Sequence, residues 1–113
     1  ALSALSSIKN NISHINFTST SISDKAMAFV AGSPNLVYLN LRNTSITDRG
    51  LSLIAKLEHL EYLNMVSTQI TDKSVNVIAN LKTLKSVYVY NSGITEKGIQ
   101  LLQSALPNAK IVY

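Results

Sequence analysis

The sequence has no cysteine and no tryptophan, only two prolines, four glycines and two histidines in 113 residues. Without cysteine there is no disulfide and no thiolate metal site. That absence suits a reducing and an oxidising compartment equally, so the localisation is not legible. Charged residues make up 14% and apolar ones 46%, a balance that excludes a self-repelling disordered chain and fits one that builds a core. The net charge of +4 is a mild excess. No apolar run reaches the roughly 18–20 residues that span a bilayer, so no membrane span is expected. The start, Ala1-Leu2-Ser3-Ala4-Leu5, lacks the basic leader and apolar block of a secretory signal. His14 and His59 fall about two structural units apart, roughly 10 Å or more by strand spacing, too far for one metal or one proton relay. No serine has a base at a readable spacing. No enzyme activity, metal or cofactor is therefore expected.

What is present is a repeat. The stretch 36–48, LVYLNLRNTSITD, recurs with its first apolar position at 12, 36, 60 and 84, a constant period of 24 residues. A truncated copy, 109–113, closes the chain one residue late. Self-similarity at such a period marks a solenoid, in which each unit buries its apolar face only against its neighbours. The reading is one domain over 1–113. Residues 1–11 form a capping helix and turn, because Leu2, Leu5 and Ile8 make one short helical stripe.

Each repeat divides into two halves. Alternation at Leu36, Leu39 and Leu41 predicts a strand with one buried face. Strands returning at one phase stack in parallel. A polar turn follows, then a buried isoleucine (Ile22, Ile46, Ile70, Ile94). The second half reads as a helix. Ser23, Thr47, Thr71 and Thr95 stand at its N-cap, and Asp24, Asp48, Asp72 and Glu96 follow where negative charge favours a helix start. Leu51, Ile54 and Leu57 and their equivalents supply its buried stripe.

The string L-x-x-L-x-L-x-x-T-x-I-T-D-x-G-L, over residues 12–113, resembles a leucine-rich repeat. The T-x-I-T-D-x-G-L half is similar to the subclass with a convex α-helix, as in ribonuclease-inhibitor-like and F-box-associated arrays. Here Thr20, Thr44, Thr68 and Ser92 replace the usual Asn or Cys, and a hydroxyl can still bond the turn backbone. The resemblance implies a right-handed α/β solenoid, with a parallel concave sheet and convex helices, that binds partners through the sheet. The ending 98–107, GIQLLQSALP, resembles the last unit of short bacterial arrays appended to larger proteins, some with cytochrome-like domains. A structural appendage of such a protein is the alternative reading.

Three outward columns follow from the alternation. The first is His14, Tyr38, Tyr62 and Ser86, with Ile111; the second is Asn16, Asn40, Asn64, Tyr88 and Tyr113; the third is Thr18, Arg42, Val66 and Tyr90. All five tyrosines fall there. Tyrosine gives rigid, half-polar contact area suited to interfaces, although it also suits strands for purely structural reasons. The expected binding residues are His14, Tyr38, Arg42, Tyr62, Asn64, Tyr88, Tyr90 and Tyr113, and the expected partner is a protein. Asn16, Asn40 and Asn64 are expected to form an amide ladder at roughly 4.8 Å spacing. Nucleic acid is not expected, because the cations Lys25, Arg49, Lys73 and Lys97 lie on another face from the aromatics and each follows an acidic residue. The last strand, from Lys110 to Tyr113, offers an open edge for self-association.

Overall fold

The computed structural model describes residues 10–113. The expected capping helix over 1–8 lies outside the described residues. Five three-residue strands form one parallel sheet in sequence order: β1 (His14–Asn16), β2 (Tyr38–Asn40), β3 (Tyr62–Asn64), β4 (Ser86–Tyr88) and β5 (Lys110–Val112). Each strand pairs with its successor at the 24-residue spacing, so His14 faces Tyr38, Tyr38 faces Tyr62 and Tyr62 faces Ser86. The spacing persists into β5, where Ser86 faces Lys110 and Val87 faces Ile111. The last copy is therefore in register rather than one residue late. Ile111 packs against the core, and Lys110 and Val112 face outward.

The inward residues form columns through the array. Leu39 and Leu63 at the centre of the sheet, Leu36 and Leu60 before it, and Leu41 and Met65 after it are all fully buried. Met27, Leu51 and Val75 meet them from the opposite side, with Val30, Ile54 and Ile78 beneath. Burying each such side chain contributes roughly 1.5–3 kcal/mol. No single repeat could bury this set alone, which is why the strands are short and the register strict.

The second halves are less helical than the resemblance implied. They are α1 (Ala26–Ala31); α2 (Asp48–Leu51), running on as a 3₁₀ turn (Ser52–Ile54); a 3₁₀ turn (Asp72–Ser74) leading into α3 (Val75–Ala79); and α4 (Glu96–Ala105). Only α4 reaches ten residues. Each coil closes in 24 residues and must also hold a strand and two turns; the first three fill the remainder with one or two helical turns and the fourth with about three. The ribonuclease-inhibitor and F-box subtype of the repeat is not established by this geometry.

The turn leaving each of the first four strands carries a left-handed residue, at Ser19, Asn43, Ser67 and Asn91, with φ between 54 and 57°. A non-glycine residue there is costly unless its surroundings over-determine it. Two contacts do so. The N–H of Ser19 donates to the Arg42 carbonyl at 2.9 Å and that of Asn43 to the Val66 carbonyl at 2.9 Å, extending the parallel ladder past the strand. The substituted hydroxyls close the same turn. Thr20, Thr44, Thr68 and Ser92 donate to the carbonyls of Phe17, Leu41, Met65 and Val89 at 2.6–2.7 Å.

Asp48, Asp72 and Glu96 stand in the first turns of their helical segments, as expected, and three residues of the acidic column have a second job. Asp24 reaches into the next coil, accepting the Thr47 N–H at 2.8 Å and the Thr47 hydroxyl at 2.5 Å. Asp48 accepts the same pair from Thr71, and Asp72 from Thr95. These carboxylates tie one coil to the next. The hydroxyls cap unevenly: Thr71 accepts the Lys73 N–H and Thr95 the Gly98 N–H, whereas Thr47 makes no side-chain cap. In the first repeat the cap falls at Lys25 rather than Ser23.

Candidate functional site

The outward face of the sheet carries a continuous row of rings. His14 stacks on Tyr38 at 5.4 Å between centroids, Tyr38 on Tyr62 at 4.3 Å and 8° between planes, and Tyr62 meets Tyr88 at 5.2 Å and 45°. Parallel pairing without a stagger places equivalent rings one strand apart, close to the thickness of a π-system pair. The fourth ring arrives by a different route. Ser86 is the residue opposite Tyr62, and Tyr88 stands opposite Asn64. The short Ser86 side chain leaves space into which Tyr88 leans, which accounts for the tilt.

Asparagines hold the row in place, but not as a ladder. Asn40 Oδ1 accepts the Arg42 N–H at 3.0 Å, and its Nδ2 donates to the Tyr38 hydroxyl at 3.2 Å. Asn64 does the same with Val66 and Tyr62 at the same distances. Each asparagine therefore links its own turn to its own tyrosine, and the expected amide-to-amide bonds between coils are absent among the described residues. Asn16 has no tyrosine two residues before it; its Oδ1 takes the N–H and hydroxyl of Thr18. The signal was in the sequence as Tyr-x-Asn, at 38–40 and 62–64, since residues two apart share a strand face. Burial, with the neighbouring Tyr38 and Tyr88 contributing, pushes the Tyr62 phenol above its ordinary value. It remains a neutral donor at physiological pH.

The structure distributes the expected binding residues unevenly. His14, Tyr38, Tyr62 and Tyr88 form the row, and Arg42 and Tyr90 stand exposed on the same face, Tyr90 at 64%. Asn64 is only 7% exposed and its carboxamide is held between Tyr62 and Val66. Tyr113 stands outside its expected column. The register of β5 puts Val112 in its expected column, and Tyr113 lines an open depression of about 360 Å³ with Glu96, Ile99 and Gln103 beside α4. In exchange Lys110 joins the outward columns.

Catalytic geometry is thin. Ser13 Oγ lies 2.8 Å from His14 Nδ1, a pairing not anticipated from spacing. Both residues are exposed and adjacent in sequence, and among the described residues no carboxylate orients the imidazole, so the second half of a nucleophile relay is missing. Among the described residues no group of three His, Asp or Glu side chains could hold a metal ion. A depression of about 720 Å³ lies between the first two coils and is lined by Asp24, Lys25, Arg49 and Leu53. Its one carboxylate is the one bound to Thr47. No helix among the described residues is long and apolar enough to cross a membrane.

A one-sheet parallel array with helical turns opposite and a 24-residue register is an α/β leucine-rich-repeat solenoid. The family model described as "Leucine Rich repeat" matches residues 32–55 and 56–79, the second and third coils. No curated protein matches the sequence. Among solved structures, 33 chains match. One is the leiomodin-1 actin-binding site 2, with a TM-score of 0.74 and 17% identity over 99% of this chain and 76% of that one. Another is an internalin from Listeria monocytogenes, with a TM-score of 0.56 and 18% identity over 95% of this chain and 43% of that one. At such identities the likeness is one of fold.

Proposed function

We propose that this chain is a protein-interaction module that binds through the ring-lined face of its sheet. The observation that carries the reading is the row His14–Tyr38–Tyr62–Tyr88, four rings in contact and partly open to solvent on a rigid parallel sheet. Rigid aromatics lose little conformational entropy on binding, which is why they dominate interface energetics. The similar leiomodin-1 structure, an actin-binding site, supports a protein-binding role for this architecture. Neither similar structure favours the reading as a structural appendage. The described sheet face projects roughly 300 Å², five strands at about 4.8 Å by some 15 Å of strand. A stable interface takes roughly 800 Å² from each partner, so the face alone supports a weak contact.

The test is selection of a random peptide display library on the immobilised protein, counter-screened on two folded variants, Tyr62→Ala/Tyr88→Ala and Arg42→Glu/Tyr90→Ala. Clones that bind the wild type and lose at least about tenfold on either variant are expected. Recovery only of clones indifferent to both variants would refute the sheet face as the recognition surface.

A further inference from the structure

The ring row presents edges rather than faces. Tyr38 and Tyr62 cover each other at 4.3 Å and 8°, so neither offers an open π-face between them for a sugar, a proline or a cation. What the row does offer is hydroxyls. The Asn40 and Asn64 carboxamides are oriented by chemistry: only the oxygen can accept the N–H of Arg42 and Val66, so the nitrogen must point at the phenol oxygen. Each phenol oxygen thus already accepts a proton. Its own O–H is the group left to donate; with no acceptor bound, the Tyr62 hydroxyl turns to that of Tyr38 on the adjacent strand, which places the two oxygens side by side.

Charge points the same way. No carboxylate stands in any of the three outward columns, while Arg42 and Lys110 are exposed in them. Glu61, the nearest acid along the strand, is one residue before the first column and is paired with Lys85 at 3.2 Å. The helical side is balanced by contrast, because Lys25, Arg49, Lys73 and Lys97 each follow an acidic residue. Adjacent oriented donors on a face that carries Arg42, which has no ion pair among the described residues, fit an anionic acceptor with two oxygens.

Resting on the proposed interaction role, we infer that the sheet face recognises an acidic segment of its protein partner, with an Asp or Glu carboxylate seated across the Tyr38 and Tyr62 hydroxyls and Arg42 supplying the countercharge. Asn40 and Asn64 are positioning residues in this site.

Three twelve-residue peptides serve as probes in an amide-resolved NMR titration: one rich in Asp and Glu, its Asn/Gln counterpart, and a Lys-rich one. The acidic peptide is expected to shift the amides of 38–42 and 62–66 and to weaken as salt rises. Tyr38→Phe/Tyr62→Phe keeps the rings and removes the hydroxyls; it should weaken the acidic peptide about fivefold or more, as should Arg42→Gln. Lys73→Gln/Lys97→Gln on the other side should change nothing. Equal binding of the Asn/Gln peptide, loss of binding through Lys73→Gln/Lys97→Gln instead, or no binding of the acidic peptide would each overturn the inference. Face-dependent clones from the display library that show no acidic enrichment would overturn it while leaving the interaction role intact. Absence of any face-dependent clone would remove the role itself.

Discussion

At the residue scale, most repeat positions tolerate a choice of side chain, and Gly50 does not. A Cβ at Gly50 would overlap the Asp24 carboxylate that binds Thr47, and one at Gly98 would overlap that of Asp72. The third coil shows the other solution. Ser74 occupies the equivalent position, starts that coil with a 3₁₀ turn instead of an α-turn, and donates its hydroxyl to Asp48 Oδ1 at 2.6 Å. Gly50→Ala is therefore expected to destabilise the protein by about 1–3 kcal/mol, the range for overpacking at a buried polar contact. Gly50→Ser should cost clearly less, since its hydroxyl can bond the carboxylate it crowds. Urea unfolding midpoints of the two variants check this, and equal losses would show that the hydroxyl brings no compensation.

At the scale of the element, the short helical turns owe little to their own propensity and much to the carboxylates that staple each to the next. Asp48 is the most fully engaged. Partial burial alone would raise its carboxyl, but hydroxyl bonds from Ser74 and Thr71, the Thr71 N–H and the charge of Lys73 together hold it below the ordinary 3.8. A carboxyl depressed in the folded state contributes stability that is present above its unfolded value and is lost as pH falls through the folded one. Asp48→Asn should therefore be less stable than the wild type at neutral pH, with the gap narrowing as pH drops through 3.8 and below. Denaturation midpoints measured across that range decide it; a gap independent of pH would assign the loss to packing. The carboxylate column itself was legible in the sequence, but its partner was not. Asp24 and Thr47 are 23 residues apart, and only a stacked coil brings such positions within a hydrogen bond.

Across the whole molecule, each coil is stabilised only by its neighbours, so cost depends on place in the stack. Leu63 is fully buried at the middle strand, with coils on both sides. Ile111 is half-buried on the last strand of the described sheet. Leu63→Ala should cost about 2–5 kcal/mol and unfold the array as one unit, while Ile111→Ala should cost less than half of that and loosen the last coil first. Hydrogen exchange of the β4 and β5 amides, set against the global unfolding midpoint, separates the two outcomes. The same dependence on neighbours makes the ring row collective: Tyr62 is placed by Tyr38 and Tyr88 as much as by its own strand.

The period, the parallel sheet, the buried columns and the outward position of most of the tyrosines were determined by the sequence alone. All of them follow from local alternation and a constant 24-residue repeat, which residues close in sequence express directly. Tertiary structure decided the rest, because the rest depends on distances between coils. It brought Tyr88 from the second column into the ring row, put Lys110 on the face and Tyr113 off it, and turned an expected amide ladder into separate Asn–Tyr bonds. A ring leans into space left by a residue on another strand, and an amide chooses among partners only once all of them are in place.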